Sequence, residues 1–320
     1  MISYEALSYQ VLYEIQQDFN RLAESVNNTL IPLYVNESYG SFIEATVTDI
    51  DSFIRGVRKR LKALEHTILS SLMLDVDKSR ESISKLDIEM GRRDIDLDKS
   101  VEGNSYKITN NIRSVHKSNF DFIQNNLGSL KNIKFDQDGN IISKKTEDGV
   151  TNFSTIFSKI KSTIDNNISG GNDNFESTCK EKFIIDGNVS IKDEVEFIRS
   201  NRYKNILAGA IKDVNIICST YLSEVKAVIK NLKNSTNNYS EKNKYMVLKI
   251  VSNYNQVFKY EISRFIQYIG YMFDAARNKN NQARKLIDDT IQKSDLKQAV
   301  KESLEYNDDC VIDNSRIIFV

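Results

Sequence analysis

Two histidines, three cysteines and one acidic loop are the residues of this chain whose types invite chemistry. The loop is DQDGNIISKKTE, residues 136–147. A twelve-residue calcium loop needs oxygen ligands at positions 1, 3 and 5, a glycine at 6 for the sharp turn and a glutamate at 12. Asp136, Asp138, Asn140 and Glu147 satisfy the oxygen positions, but Ile141 stands where the glycine belongs and Gly139 comes two places early. A β-hairpin around the DQDGN turn explains Gly139 better, so no metal is expected there.

His66 directly follows Glu65. Adjacent helix residues do not face each other, so Glu65 is a poor orienting partner. His116 lies in RSVHKSN, with no acid or cysteine at ligand spacing. Both read as structural histidines, exposed or hydrogen-bonded. Cys179, Cys218 and Cys310 are odd in number and far apart, which argues against a disulfide framework and against zinc. They read as reduced, partly buried thiols. The acids of MGRRDIDLDKS, residues 90–100, alternate with Ile95 and Leu97 and read as a solvated helix end. No Gly-rich phosphate loop and no G-x-S-x-G elbow occurs. The expectation is therefore a chain that is not an enzyme, with no catalytic, cofactor-binding or metal-ligating residue assigned and no cofactor.

The densest basic run is RGVRKRLK, residues 55–62, where Arg55, Arg58, Lys59, Arg60 and Lys62 surround Val57 and Leu61. On a helix these cations spread over the polar surface, which reads as a charged flank pairing with acidic helices. The whole chain balances 44 Lys plus Arg against 44 Asp plus Glu. Binders of nucleic acid or anionic membranes usually carry a basic excess, so neither partner is expected. No run approaches the ~20 apolar residues of a transmembrane helix, and the start MISYEALSYQVLYEI lacks the layout of a signal peptide.

The elements behind these residues are helical. The 320 residues are 40 % apolar and 28 % charged, with one proline, Pro32, and no tryptophan. Near absence of proline permits very long helices. Asn, Lys, Ile, Ser and Tyr are abundant, as an AT-rich genome encodes. A first helix is expected over about residues 3–30, ended by Pro32. A second starts near Ser41 with the seam Ile43, Val47, Ile50, Ile54, Val57, Leu61, Leu64, Ile68, in steps of 4 and 3. The seam continues through Leu72, Val76, Ser79, Ile83, Leu86, Met90, Arg93 and Leu97, so the helix is expected to reach about residue 98, with Gly56 and Gly91 as weak points.

Shorter helices are expected over 105–130 and 150–168, followed by a mobile loop at NNISGGNDN, residues 166–174. SIKD, residues 190–193, is an acidic variant of a capping box and opens a helix running to about 232. After the polar break NSTNNYS, residues 234–240, a last long helix covers about 241–305, with a wide apolar face from 245 to 276. On its seam, Asn255 is a lone core amide of the kind that fixes register, and Lys279 either does likewise or marks where the helix leaves the core. Three pieces read as β-hairpins: 133–143, KFIIDGNVSI at 182–191, and CVIDNSRIIFV at 310–320. At least two of them are expected to pair into one small sheet.

The resulting expectation is a mainly α protein: an elongated helical bundle or coiled coil with long helices plus a small β-hairpin module. Its segments are an N-terminal long helical hairpin (1–103), a mixed segment with short hairpins (104–190), a C-terminal long-helix hairpin (191–309) and a strand tail (310–320). The first helix covers ~42 Å of a partner of ~85 Å, so something else must cover the stretch from Leu72 to Leu97. That excess length, with a strand-like C-terminus open to β-augmentation, points to protein partners: self-assembly or the subunits of a particle. The functional expectation is a structural or assembly protein, a phage virion component such as a neck, tail, baseplate or minor capsid part, or part of a related contractile machine. Its place is then the virion or the host cytoplasm.

One alternative is a secreted helical effector, exported without a signal peptide. The helix–turn–helix with Ser38-Tyr39-Gly40 at its turn resembles the layout of type VII secretion substrates, although those carry W-x-G or L-x-G there. Pore-forming toxins with long helices share the architecture, but this chain lacks their strongly apolar hairpin. A cellular coiled-coil scaffold is the other alternative.

Overall fold

A computed structural model describes residues 13, 14, 17, 39–92, 95–98, 100–128, 133, 134, 136, 138, 140–171, 174–200, 202–234 and 241–311. The first helix, the turn at Pro32 and the tail beyond Val311 lie outside the described residues, apart from the helical positions 13, 14 and 17. The protein is mostly helical, with a small two-stranded antiparallel sheet, and its long C-terminal helix fits a helical bundle.

Helix α1 runs from Tyr39 to Met90, β1 from Ser100 to Tyr106, α2 from Ile112 to Leu127, α3 from Lys144 to Thr151, α4 from Phe153 to Ser169 and α5 from Phe175 to Glu181. Then come β2 (Ile184–Ser190), α6 (Ile191–Ser200), α7 (Arg202–Asn234) and α8 (Glu241–Val311). The chain forms two compact units. Unit 1 contains residues 1–70, 108–183 and 204–274; unit 2 contains 71–107, 184–203 and 275–320.

In unit 1 the heptad seam of α1 is the core: Ile54, Val57, Leu61, Leu64 and Ile68 are all buried. Next to them, Phe53 of α1 stands edge-on to Phe258 of α8 at 6.2 Å between ring centres, and Arg58 bonds Ser219 of α7. The face of α8 is as wide as its sequence implies. Ile250, Val251, Tyr254, Val257, Phe258, Ile262, Phe265, Ile266, Ile269, Met272 and Phe273 are all buried, so this helix is surrounded and not merely paired along one seam. Helices α2, α3 and α4 close the unit. Two glycines make their corner: Gly128 ends α2 at φ 74°, and a Cβ at Gly149 would lie 2.9 Å from the Asn126 carbonyl oxygen.

In unit 2 the apolar cluster joins Ile83 and Leu86 of α1, Ile191, Val195 and Ile198 of α6, and Ala283 and Ile287 of α8. The stretch beyond Leu72, expected to need cover from a partner, is thus covered at Ile83 and Leu86 by helices of the same chain. Helix α1 stops at Met90, some eight residues short of expectation. Gly91 and Arg92 form the closing turn, with Gly91 N bonded to Asp87 O at 3.2 Å and Arg92 N to Glu89 O at 3.0 Å. The reason lies just beyond: Ile95 and Leu97, two residues apart, both pack on the cluster, a spacing that puts side chains on one face of an extended chain and not of a helix.

The sheet corrects the hairpin reading of KFIIDGNVSI. Ile184–Ser190 is a single strand, and its partner is Ser100–Tyr106, a segment expected to lead into helix. Gly187 falls mid-strand opposite Gly103. A Cβ at Gly103 would lie 3.5 Å from Gln282 Nε2 of α8, an ordinary contact, so the strand runs close beside that helix. Of the three expected β pieces only this one contributes a strand to the sheet among the described residues; 133–143 folds back on itself in short antiparallel hairpin pairing (Asp136 N to Asn140 O, 2.9 Å; Ile142 N to Lys134 O, 3.0 Å) without joining that sheet, and Cys310 and Val311 still belong to α8.

Capping explains several boundaries. Ser190 Oγ accepts from Asp193 N at 3.4 Å and opens α6, as SIKD implies. Asn174 opens α5 by accepting from Glu176 N at 3.0 Å. The helix expected from 191 to 232 is two helices, α6 and α7; near the break Ser200 Oγ bonds the Phe197 carbonyl at 3.0 Å, competing with the backbone ladder. Residues 150–168 likewise divide: Val150 and Thr151 end α3, Asn152 caps the break, and α4 begins at Phe153.

Candidate functional sites

The polar side chains inside unit 1 converge on Glu261 of α8, which is wholly buried. It sits within the wide apolar face, one residue before Ile262, so folding forces its carboxylate into the core. Two helices supply its donors. Asn119 Nδ2 of α2 donates to Oε1 at 2.8 Å. Tyr221 of α7 donates its hydroxyl to Oε2 at 3.1 Å, and His116 Nδ1 of α2 lies 3.1 Å from the same oxygen. An ionised carboxylate only accepts, so Nδ1 is the donor of that contact when Glu261 is charged. Asn167 Nδ2 of α4 donates to Asn119 Oδ1 at 2.8 Å and adds a fourth helix. Burial first, and then Glu261, push the Tyr221 hydroxyl well above its ordinary range. The arrangement satisfies a buried charge from several sides and ties α2, α4, α7 and α8 into one register.

A second node lies beside the first, one turn along α8 at Tyr260 and Arg264. Arg264 grips Asp165 of α4 through Nε at 2.8 Å and Nη2 at 3.0 Å. Tyr260 donates to Asp165 Oδ2 at 2.7 Å, and the guanidinium stacks 4.3 Å over the Phe175 ring. Planar fork and stacking together are what arginine offers and lysine does not. A third carboxylate, Asp213 of α7, receives Asn110 Nδ2 at 2.7 Å and Arg113 Nε at 2.5 Å.

Unit 2 buries an ion pair: Lys279 Nζ of α8 lies 2.6 Å from Glu194 Oε1 of α6, and the ammonium also sits 4.7 Å from the Phe197 ring centre. Burial raises the Glu194 carboxyl above the ordinary carboxylate value, outweighing the opposite pull of Lys279. Asp75 of α1 receives Arg277 Nε at 3.1 Å, and its carbonyl receives Asn280 Nδ2 at 3.0 Å. Beside this core lies a groove of about 800 Å³ lined by the apolar Met90, Ile95, Leu97 and Val195 and the charged Asp96, Asp98, Lys192, Glu196 and Arg199.

The residues singled out in the sequence fall as follows. His66 is exposed; His116 belongs to the Glu261 node. Asn255 is buried on the seam. Lys279 is an interior cation with a partner. In the acidic loop, Asp136 Oδ1 accepts from the backbone N–H groups of Asp138 and Asn140 at 2.9 and 2.8 Å, so the carboxylate organises its own turn. Among the described residues no cluster of three His, Cys, Asp or Glu side chains could hold a metal. Cys179 and Cys218 are free and buried, and burial pushes both thiols up to about 12. In the basic run, Arg60 Nε bonds Glu14 Oε2 at 2.8 Å, and Arg58 bonds Ser219 of α7. Sequence reasoning missed Glu261, Asp165, Arg264 and Glu194. The signal for Glu261 was its position inside the apolar face of α8.

No described helix is long and apolar enough to cross a membrane. Comparison with models of protein families, with curated proteins and with solved structures gives no match for this chain.

Proposed function

We propose that this chain is a non-catalytic structural and assembly protein, and specifically a subunit of a phage particle or a related contractile machine. One observation carries the assembly reading. Among the described residues, seven of the ten exposed large apolar side chains (Ile88, Met90, Val101, Ile184, Ile185, Leu296 and Val300) belong to unit 2. Unit 2 is the smaller unit, so exposed apolar side chains are concentrated on it, and where such side chains cluster they mark docking sites for other proteins. The polar interior supports the same reading, because Glu261, Asp165 and Glu194 are held by neighbouring helices. The AT-rich composition and the long helices support the particle-subunit reading.

Light scattering on a size-exclusion peak, with small-angle scattering on the same peak, tests it. The expected result is a discrete oligomer or a mass that grows with concentration, or else capture of a protein encoded beside this one. A monomer at all concentrations that captures none of those neighbours overturns the proposal. Leakage of dye from liposomes on addition of the protein would replace it with the effector reading.

A further inference from the structure

Within unit 2, helix α8 outruns its own core. Ala283 and Ile287 are buried in the apolar cluster, and Ile291 packs against it. From Gln292 to Glu302 every residue except Ser294 is exposed. Two of these are large and apolar: Leu296 is 61 % exposed and Val300 57 %. Four residues apart, they share one face of the helix. It is not the face that serves the core. Leu296 follows Ile287, and Val300 follows Ile291, by nine residues, about two and a half turns. The pair therefore stands on the side of α8 opposite the cluster. The helix continues unbroken to Val311, and its sequence repeats the four-residue step at Leu304. Local propensity alone holds a short exposed helix only marginally, whereas an apolar stripe on its outer side can be buried against another chain.

The charges of this stretch identify that chain. Residues 292–301 carry Lys293, Lys297 and Lys301 against one acid, Asp295. Residues 302–311 carry Glu302, Glu305, Asp308 and Asp309 and no lysine or arginine. The segment is basic in its first half and acidic in its second, so it is complementary to itself in one orientation. Laid antiparallel on a second copy, each basic half meets an acidic half. Laid parallel, like charges face each other, which is unfavourable. The helix dipole argues the same way. Its C-terminal end favours cations, yet the last turn holds Asp308 and Asp309 and no basic residue. The lysines of an antiparallel neighbour supply the missing positive charge.

We infer that residues 292–311 of α8 pair antiparallel with the same residues of a second copy, with Val300 near the two-fold axis and Leu296 against the partner's Leu304. The inference rests on the assembly reading above and supplies its contact. One patch serves both copies, so the contact closes as a dimer and does not propagate.

The test uses the whole chain carrying Cys310→Ser. Copies with Lys293→Cys are mixed with copies with Asn307→Cys and oxidised; in the antiparallel pair these positions stand opposite each other. The expected result on a non-reducing gel is a disulfide-linked dimer several-fold more abundant in the mixture than in either variant alone. Dimers formed as readily by each variant alone indicate parallel pairing, and no dimer at all indicates no pairing; either result overturns the inference. The second arm is Leu296→Asp with Val300→Asp, which changes only exposed side chains. Its urea midpoint should stay unchanged while its mass by light scattering falls at least twofold. If the unsubstituted protein assembles and this variant assembles equally, the helix contact is wrong while the assembly reading stands. If the unsubstituted protein is monomeric and no mixed dimer forms, the helix contact is overturned, and the assembly reading depends on its neighbour-capture test.

Discussion

Lys279 and Glu194 form an ion pair in the core of unit 2, with Nζ and Oε1 2.6 Å apart and only 10 % and 2 % of the two side chains exposed. Breaking such a pair from one side leaves a buried charge alone, which costs about 3–5 kcal/mol, whereas replacing both members with apolar residues of similar volume is neutral or stabilising. Glu194→Ala should therefore unfold at markedly lower urea concentration, and Glu194→Leu with Lys279→Met should restore or exceed the original midpoint. A double variant as weak as Glu194→Ala would show that the pair does more than neutralise itself.

The same carboxyl sets a pH dependence. Burial raises Glu194 above its unfolded value, so the folded state binds its proton more tightly. The stability this provides is complete below the ordinary carboxylate range and is lost as pH rises through the folded value. Against Glu194→Gln, the unsubstituted protein should lose relative stability between pH 4.5 and neutrality, read as the difference between the two urea midpoints. A difference that grows in the opposite direction contradicts the assignment.

Glu261 is the interior acceptor of unit 1. Removing it in Glu261→Leu leaves Asn119, Tyr221 and His116 without their acceptor, at roughly 1–3 kcal/mol for each buried group left unsatisfied. Tyr221→Phe removes one donor and leaves two, so it should cost less. Thermal or urea unfolding of both variants checks the order.

Arg264→Lys keeps the charge and loses both the fork to Asp165 and the stack on Phe175. We expect a loss of about 1–2 kcal/mol, with the α4–α5 region exchanging amide hydrogens faster. Equal protection in the two proteins would remove the planar geometry as the reason for arginine.

In a Cys310→Ser background the remaining thiols, Cys179 and Cys218, are buried with values near 12. The thiolate is the reactive form, so at pH 8 a thiol reagent should label the native protein orders of magnitude more slowly than the unfolded chain. Rapid labelling of the native protein would place one of them at an opening in the fold.

The sequence by itself determined the helices whose pattern is long and internally consistent. The 4-3 seam of α1, the wide face of α8 and the SIKD cap of α6 are local signals, and burial of Val57, Leu61, Phe258 and Ile262 follows from them. Tertiary structure alone decided the partners. The Asp-Gly of 182–191 is a strong local turn signal, yet Gly187 pairs with Gly103 across 84 positions of chain, because the long-range strand also packs on α8 and a local hairpin would not. The end of α1 was decided in the same way: its heptad pattern runs on to Leu97, but Ile95 and Leu97 gain more by entering the unit 2 cluster in extended form. The nodes at Glu261, Asp165 and Glu194 are invisible to spacing for the same physical reason. Each joins residues from different helices, and a periodicity records only which face of its own helix a residue occupies, not which donor from another helix will stand opposite.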